Sequence, residues 1–148
     1  MNRLTEYKLI PANNSIKQLV IALLQENNLP VSDLDKGKHL FALLQKDQII
    51  GTGGIEFFER CALLRSISVK KDLQGNGLGK FITAGLEKVS KQKGVDCLYL
   101  LTTTAKDFFN KEGYEVINRD DVPESIKNTS EFSSVCPSSA IVMKKVLR

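Results

Sequence analysis

Lys70-Lys71-Asp72-Leu73-Gln74-Gly75-Asn76-Gly77-Leu78-Gly79-Lys80 lies between a β-rich run ending at Val69 and an amphipathic stretch opening at Leu78. A strand-to-helix junction leaves backbone N–H groups without intrahelical acceptors. It also presents the positive end of the helix dipole, and both favour an anion such as phosphate. Alternating glycines at 75, 77 and 79 permit positive φ and close approach of a ligand, so successive N–H groups can form an anion-binding nest. The plain alternative is a tight turn with surface lysines. A second set with chemical potential is Glu56, in Gly54-Ile55-Glu56, and Arg65, in Leu63-Leu64-Arg65-Ser66, on successive β-rich runs. If the turn at Glu59-Arg60 has an even number of residues, Glu56 pairs with an odd-numbered residue and shares a face of the sheet with Arg65. A carboxylate that can take a proton and a guanidinium that can grip a carboxylate then share one pocket. The alternative is a cross-strand pair of structural value only.

Two familiar phosphate loops are near misses. A Walker A loop, G-x-x-x-x-G-K-[ST], is matched by Gly79-Lys80, but Gln74 replaces its first glycine and Phe81 its hydroxyl residue. A G-x-G-x-x-G dinucleotide fingerprint starts at Gly75-Asn76-Gly77, but position 80 is Lys, and the loop does not open a first βαβ unit. Gly51-Thr52-Gly53-Gly54 sits in a strand pattern with no helix after it, which indicates a bulge or a close backbone approach.

Hydrophobic periodicity supplies the elements that position these residues. Glu6 to Ile10 reads as a strand closed by Pro11. Asn13 or Asn14 caps a helix with an apolar stripe at Ile16, Leu19, Val20, Leu23 and Leu24. Val31 to Lys38 reads as turn-like, with room for a short helix. His39–Leu44, Gln48–Phe58 and Cys61–Val69 form an antiparallel meander with turns at Lys46-Asp47 and Glu59-Arg60. Leu78, Phe81, Ile82, Gly85, Leu86 and Val89 mark a second helix that stops at Gly94. Val95 to Thr102 is a nearly continuous apolar run, as in a buried central strand, so the helix is a crossover. Thr104 and Asp107 resemble a capping box for a short helix from Ala105 to about Lys111, ending at Gly113. Tyr114–Ile117 and Ala140–Val146 are the last strands, separated by a long polar excursion.

The chain has 148 residues, and 42% of them are hydrophobic and 26% charged. This is the balance of one soluble globular domain spanning 1–148. The apolar runs fall short of a membrane span, and no apolar core marks a secretory signal at the N-terminus. The three cysteines, Cys61, Cys97 and Cys136, are widely spaced. They argue against a disulfide framework and for a reducing, cytoplasmic setting. His39 is the one histidine, and the absence of Cys-x-x-Cys makes zinc improbable. The net charge of +4 is dispersed and there is no Trp, which excludes a nucleic-acid footprint.

The loop also fits Q/R-x-x-G-x-G/A as Gln74-x-x-Gly77-x-Gly79. With Ile67-x-Val69 before it and Phe108-Phe109-Asn110-Lys111-Glu112-Gly113-Tyr114-Glu115 after it, the chain resembles the Gcn5-related N-acetyltransferase (GNAT) family. The element order agrees over nearly the whole chain. The resemblance implies an α/β fold with a mixed central sheet: an antiparallel N-terminal meander, parallel central strands around the cofactor loop, and helices on both faces. Leu63-Leu64-Arg65-Ser66, Leu100-Leu101-Thr102-Thr103-Thr104, Val122-Pro123 and Cys136-Pro137-x-Ser139-Ala140 look like the small amino-acid acetyltransferases, and most like the arsenic-resistance branch.

The resemblance implies acetyl-CoA as acyl donor and a small-molecule amine as acceptor, with no nucleic-acid or membrane partner. The sequence leaves a homodimer open. Ile67 and Val69 would lie along the pantetheine, on a strand whose backbone N–H could receive the oxyanion. Gln74, Gly75, Asn76, Gly77, Leu78, Gly79 and Lys80 would hold the pyrophosphate, with added charge from Lys70 or Lys71. Glu56 would serve as the general base and Arg65 as the clamp on a substrate carboxylate. Ser138 and Ser139 would either hydrogen-bond substrate or cap the last strand, and Ser139 is taken as substrate-binding. The chain departs from the family at Phe109, where many members carry a Tyr as general acid. Phe108 and Phe109 read as packing residues. Cys136 reads as a small buried residue beside Pro137, although its place in the arsenic-like segment invites a thiol role. Cys61 and Cys97 read as packing, and His39 is given no role. Acetylation of another small amine, such as an antibiotic or a polyamine, and a non-catalytic acyl-CoA-binding module are the alternatives.

Overall fold

The computed structural model describes residues 7–29, 31, 39–129, 132 and 140–147. The strands are β1 (Tyr7–Pro11), β2 (His39–Gln45), β3 (Gln48–Phe57), β4 (Cys61–Val69), β5 (Cys97–Thr102), β6 (Glu115–Ile117) and β7 (Ile141–Val146). The helices are α1 (Asn14–Glu26), α2 (Leu78–Gln92), α3 (Lys106–Lys111) and α4 (Glu124–Lys127), with 3₁₀ turns at Lys71–Leu73 and Arg119–Asp121. The seven strands form one sheet in the order β1-β2-β3-β4-β5-β7-β6. Only β4 and β5 pair in parallel. The mixed sheet and its α2 crossover are those expected from the sequence.

Both faces of the sheet are covered. On one, Leu78, Ile82 and Leu86 of α2 are buried against Leu43, Ile55, Leu64 and Leu98. Each such side chain contributes about 1.5–3 kcal/mol relative to exposure. On the other face, Val20 and Leu24 of α1 pack on Leu40 and Ala42, and Ile126 of α4 packs with Leu63, Tyr99 and Val142. Asn13 caps α1, its side-chain oxygen accepting from the N–H groups of Ser15 and Ile16. Leu19, placed on the apolar stripe by its spacing, is 58% exposed and marks the stripe's edge.

The glycines of β3 set how closely α2 lies on the sheet. A Cβ at Gly51 would stand 2.8 Å from Ile82 Cδ1 and 3.0 Å from the Ser68 carbonyl oxygen, and one at Gly53 would stand 2.9 Å from Leu86 Cδ1. Gly51→Val should therefore destabilise the protein by about 1–3 kcal/mol, read as a lowered urea midpoint at unchanged slope. An unaltered midpoint would show that α2 can retreat without cost.

Three local features differ from the sequence reading. Thr104 does not cap α3. The Ala105 N–H donates to Thr102 Oγ1 at 2.9 Å, from the end of β5, and the Ala105 position itself has no side-chain cap. The excursion after β6 contains α4, whose Ile126 is fully buried. Glu6, the segment 32–38, Cys136, Ser138 and Ser139 lie outside the described residues.

Candidate active site

The site begins with a flaw in β4. Thr52 pairs with Ser68 but Gly54 pairs with Arg65, so Ser66 and Ile67 stand opposite Gly53 alone. This is a bulge, and Ser66 takes φ 57° to make it. Thr52 Oγ1 donates to the Ser66 carbonyl at 2.7 Å and lies 2.8 Å from Ser68 Oγ. A hydroxyl has one proton. With Thr52 donating to Ser66, the Ser68 hydroxyl is the donor to Thr52.

Ahead of the bulge, after Leu63, β4 parts from β5. The parallel pairing covers only Cys61–Leu63 against Cys97–Tyr99, whereas β5 stays paired to β7 through Thr102. The strands diverge into a cleft of about 560 Å³. Ile67, Ser68 and Val69 line one wall, Ala105, Phe108 and Phe109 the other, and Gly75, Gly77, Leu78, Gly79 and Lys80 close its end. Gly79 brings the walls together, since a Cβ there would sit 3.3 Å from Phe108 Cζ. Phe109 is 7% exposed and stacks edge-on with Phe108 and Tyr114. Both phenylalanines thus pack as expected, and they also form the cleft wall.

At the closed end Gly75 and Gly77 have φ 87° and 82°, and Gly77 is the N-cap of α2. No acceptor among the described residues takes the backbone N–H groups of residues 75–80. A Cβ at Gly75 or Gly77 would meet nothing within 4 Å. Unpaired N–H groups at the N-terminus of a fifteen-residue helix, beside an open apolar cleft, suit an anionic group with an apolar arm. Lys80 lines this end, while Lys70 lies in a separate groove against α1. The side chains of Gln74 and Asn76 brace the loop: Gln74 Nε2 donates to the Val69 carbonyl and Asn76 Nδ2 to the Leu73 carbonyl, each at 3.0 Å.

Glu56 and Arg65 lie on the face opposite α2. The two-residue turn at Glu59-Arg60 is closed by the Phe58 N–H donating to the Cys61 carbonyl, and Glu56 pairs with Leu63. Arg65 stands opposite Gly54. A Cβ at Gly54 would stand 3.3 Å from Arg65 Cγ, so the missing side chain is the space across which the arginine stem lies. From there Nη1 donates to Glu56 Oε2 at 3.0 Å, in a pair whose side chains are 0% and 9% exposed. Arg65 Nε also donates to Ser66 Oγ at 3.3 Å, joining the pair to the bulge. The sequence reading missed Thr52, Ser68 and the role of Gly54. The Gly-Thr-Gly-Gly run was the available signal.

Among the described residues no cluster of three or more His, Cys, Asp or Glu side chains could hold a metal, and no helix is long and apolar enough to cross a membrane.

Residues 36–116, over half of the chain, match the family described as the acetyltransferase (GNAT) domain. The uncharacterized protein YyaT of Bacillus subtilis (strain 168) is 33% identical over 92 residues, which cover 60% of this chain and 62% of that protein. The N-acetylglutamate synthase of Neisseria gonorrhoeae, solved with coenzyme A and N-acetyl-glutamate, superposes with TM-score 0.81 at 16% identity, covering 96% of this chain and 35% of that one. A GNAT-family acetyltransferase from Staphylococcus aureus Mu50 gives TM-score 0.73 at 20% identity, covering 96% and 99%. The match thus spans under two thirds of the length of that curated relative. The chain belongs to the GNAT acetyltransferase family.

Proposed function

We propose that this member of the GNAT acetyltransferase family moves the acetyl group of acetyl-CoA to the amino group of a small carboxylate-bearing amine, an amino acid or a glutamate-like analogue. The observation that carries this reading is the buried arginine. Arg65 is the one cation among the buried residues of the described part of the chain, and it lies on the strand that also lines the cleft. A buried guanidinium is a built receptor for a carboxylate. The N-acetyl-glutamate in the Neisseria enzyme lends support by analogy of fold. Glutamate analogues bearing phosphinic or arsinic groups belong to the same substrate class, in keeping with the resemblance to the arsenic-resistance branch.

In this reading the N–H groups of residues 75–80 and Lys80 hold the pyrophosphate of acetyl-CoA, and Ile67 and Val69 flank its pantetheine arm. The bound thioester supplies an activated acyl carbon. A backbone N–H of the splayed segment near Ile67 to Val69 receives the negative charge that develops on the carbonyl oxygen. Glu56 accepts a proton from the acceptor's ammonium, directly or through water. Ammonium and acetyl-CoA yield the amide, the thiol of coenzyme A and one proton, which leaves through Glu56. The second proton lost by the nitrogen passes through water to the departing thiolate, since Phe109 can donate none and a thiolate leaves readily without help. Ser139 is included as a substrate contact. A single catalytic domain over 1–148 and a cytoplasmic setting complete the reading, the latter supported by the free thiols Cys61 and Cys97.

Arg65→Lys tests the carboxylate clamp. It keeps the charge and loses the planar fork. The expected result is a KM for the amino-acid acceptor raised about tenfold or more, with the KM for acetyl-CoA nearly unchanged. Equal kinetics in the two proteins would remove Arg65 from the site.

A further inference from the structure

At Val69, β4 is an open edge. The Lys70 N–H donates to the Ile50 carbonyl at 2.9 Å, next to the Gly51–Val69 pair. Backbone groups of successive residues point to opposite sides of an antiparallel strand, so Val69 turns its own N–H and carbonyl away from β3. β5 has left that side, and Val69 lines the cleft there. The Val69 carbonyl is nevertheless fully used. Gln74 Nε2 donates to it from the loop and Asn27 Nδ2 from the C-cap of α1, each at 3.0 Å, and a carbonyl oxygen has two lone pairs. The side chain of Asn27 is not needed to end its helix. The Leu29 N–H closes α1 on the Leu24 carbonyl around Asn28, which takes φ 60°. Asn27 Oδ1, moreover, is buried with no partner among the described residues. A residue kept only for packing would avoid leaving an acceptor bare. What this side chain supplies is the donor to Val69.

We propose that Asn27 is a positioning residue for the acyl donor. With Gln74 it satisfies the Val69 carbonyl, so that the pantetheine arm of acetyl-CoA can cover this edge and meet the Val69 N–H without burying a bare acceptor. The inference rests on the cofactor placement proposed above and gives α1 a part in it, through a residue 42 positions before Val69. Without Asn27 the Val69–Lys70 peptide is held on its carbonyl side by Gln74 alone. The arm would then close over an unused lone pair in a largely apolar cleft, which is costly. That cost falls on the arm and not on the pyrophosphate, which the 75–80 loop holds.

The test compares two ligands by calorimetry. One is coenzyme A, and the other is its ribose-phosphorylated ADP portion, which keeps the pyrophosphate and lacks the arm. Asn27→Ala removes the donor together with the bare acceptor and should melt like wild type. It should weaken coenzyme A about tenfold and leave the armless nucleotide within twofold. Equal losses for both ligands would mean a general disturbance of the loop and would overturn the assignment to the arm. No loss for either would remove Asn27 from the site. Asn27→Asp keeps the size of the side chain and replaces its donor with an acceptor, so it should weaken coenzyme A at least as much. Wild-type affinity in that variant would overturn the role of the Nδ2 donor. Coenzyme A bound by the wild type without these differences leaves the cofactor placement standing and refutes the part given to Asn27. A wild type that does not bind coenzyme A refutes both.

Discussion

Gly77→Val should weaken coenzyme A binding about a hundredfold or more and leave the protein folded. Gly77 holds φ 82° at the N-cap of α2, a conformation that costs a β-branched residue about 1–3 kcal/mol. A Cβ there points into open space, so the variant clashes with nothing and keeps its core. The chain relieves the strain by rotating the adjoining peptides. That rotation turns away the N–H groups that would meet the pyrophosphate, and each charge-assisted bond lost adds to the deficit. Calorimetry gives the affinity, and thermal melting confirms the fold. Undiminished affinity in a folded variant would move the pyrophosphate away from the 75–80 loop.

The other large effect concerns the proton. An α-amino group is mostly protonated at neutral pH, since its pKa is about 7.7–8.0 in peptides. The acceptor must therefore lose a proton before it can attack. Glu56 is the buried carboxylate among the described residues, and it lies on the same face as Arg65 and Ser68. Glu56→Gln keeps the shape and an acceptor for Arg65 Nη1, so the fold and the affinity for acetyl-CoA should be retained. The expected loss in kcat is roughly 10²–10⁴, the usual worth of a positioned base. A kcat within a few-fold of wild type would make Glu56 a structural partner of Arg65.

The strand–loop–helix junction at residues 70–80 was legible in the sequence because its signals are local. Glycines at alternating positions and a helix stripe that starts at once define a strand–nest–helix junction with no knowledge of the rest of the chain. The shared face of Glu56 and Arg65 was legible because strand periodicity and a two-residue turn at Glu59-Arg60 fix parity. Parity gives the face but not the partner. It could not show that Arg65 stands opposite Gly54 and reaches diagonally to Glu56. That outcome depends on the bulge at Ser66, a property of two strands together: the glycine run of β3 indicated a bulge or a close approach, but nothing in β4 marks Ser66 as the residue that makes it. The Thr52–Ser68 contact is hidden for the same reason. Thr104 misled because a capping pattern was present where the chain had not yet turned, and the hydroxyl of Thr102 served the Ala105 N–H instead. The polar excursion concealed α4 because a helix of four residues shows hardly one turn of periodicity.

The function proposed above is acetyl transfer from a cofactor in the β4–β5 cleft to a carboxylate-bearing amine. The most direct measurement supplies the protein with acetyl-CoA and each of the natural amino acids, together with phosphinic and arsinic glutamate analogues. Free thiol and N-acetylated product are followed in the same samples. With at least one carboxylate-bearing amine, coenzyme A should be released and the amine acetylated in equal amounts, and polyamines should release none. Tight binding of acetyl-CoA with no thiol released by any amine would contradict it and make the protein an acyl-CoA-binding module.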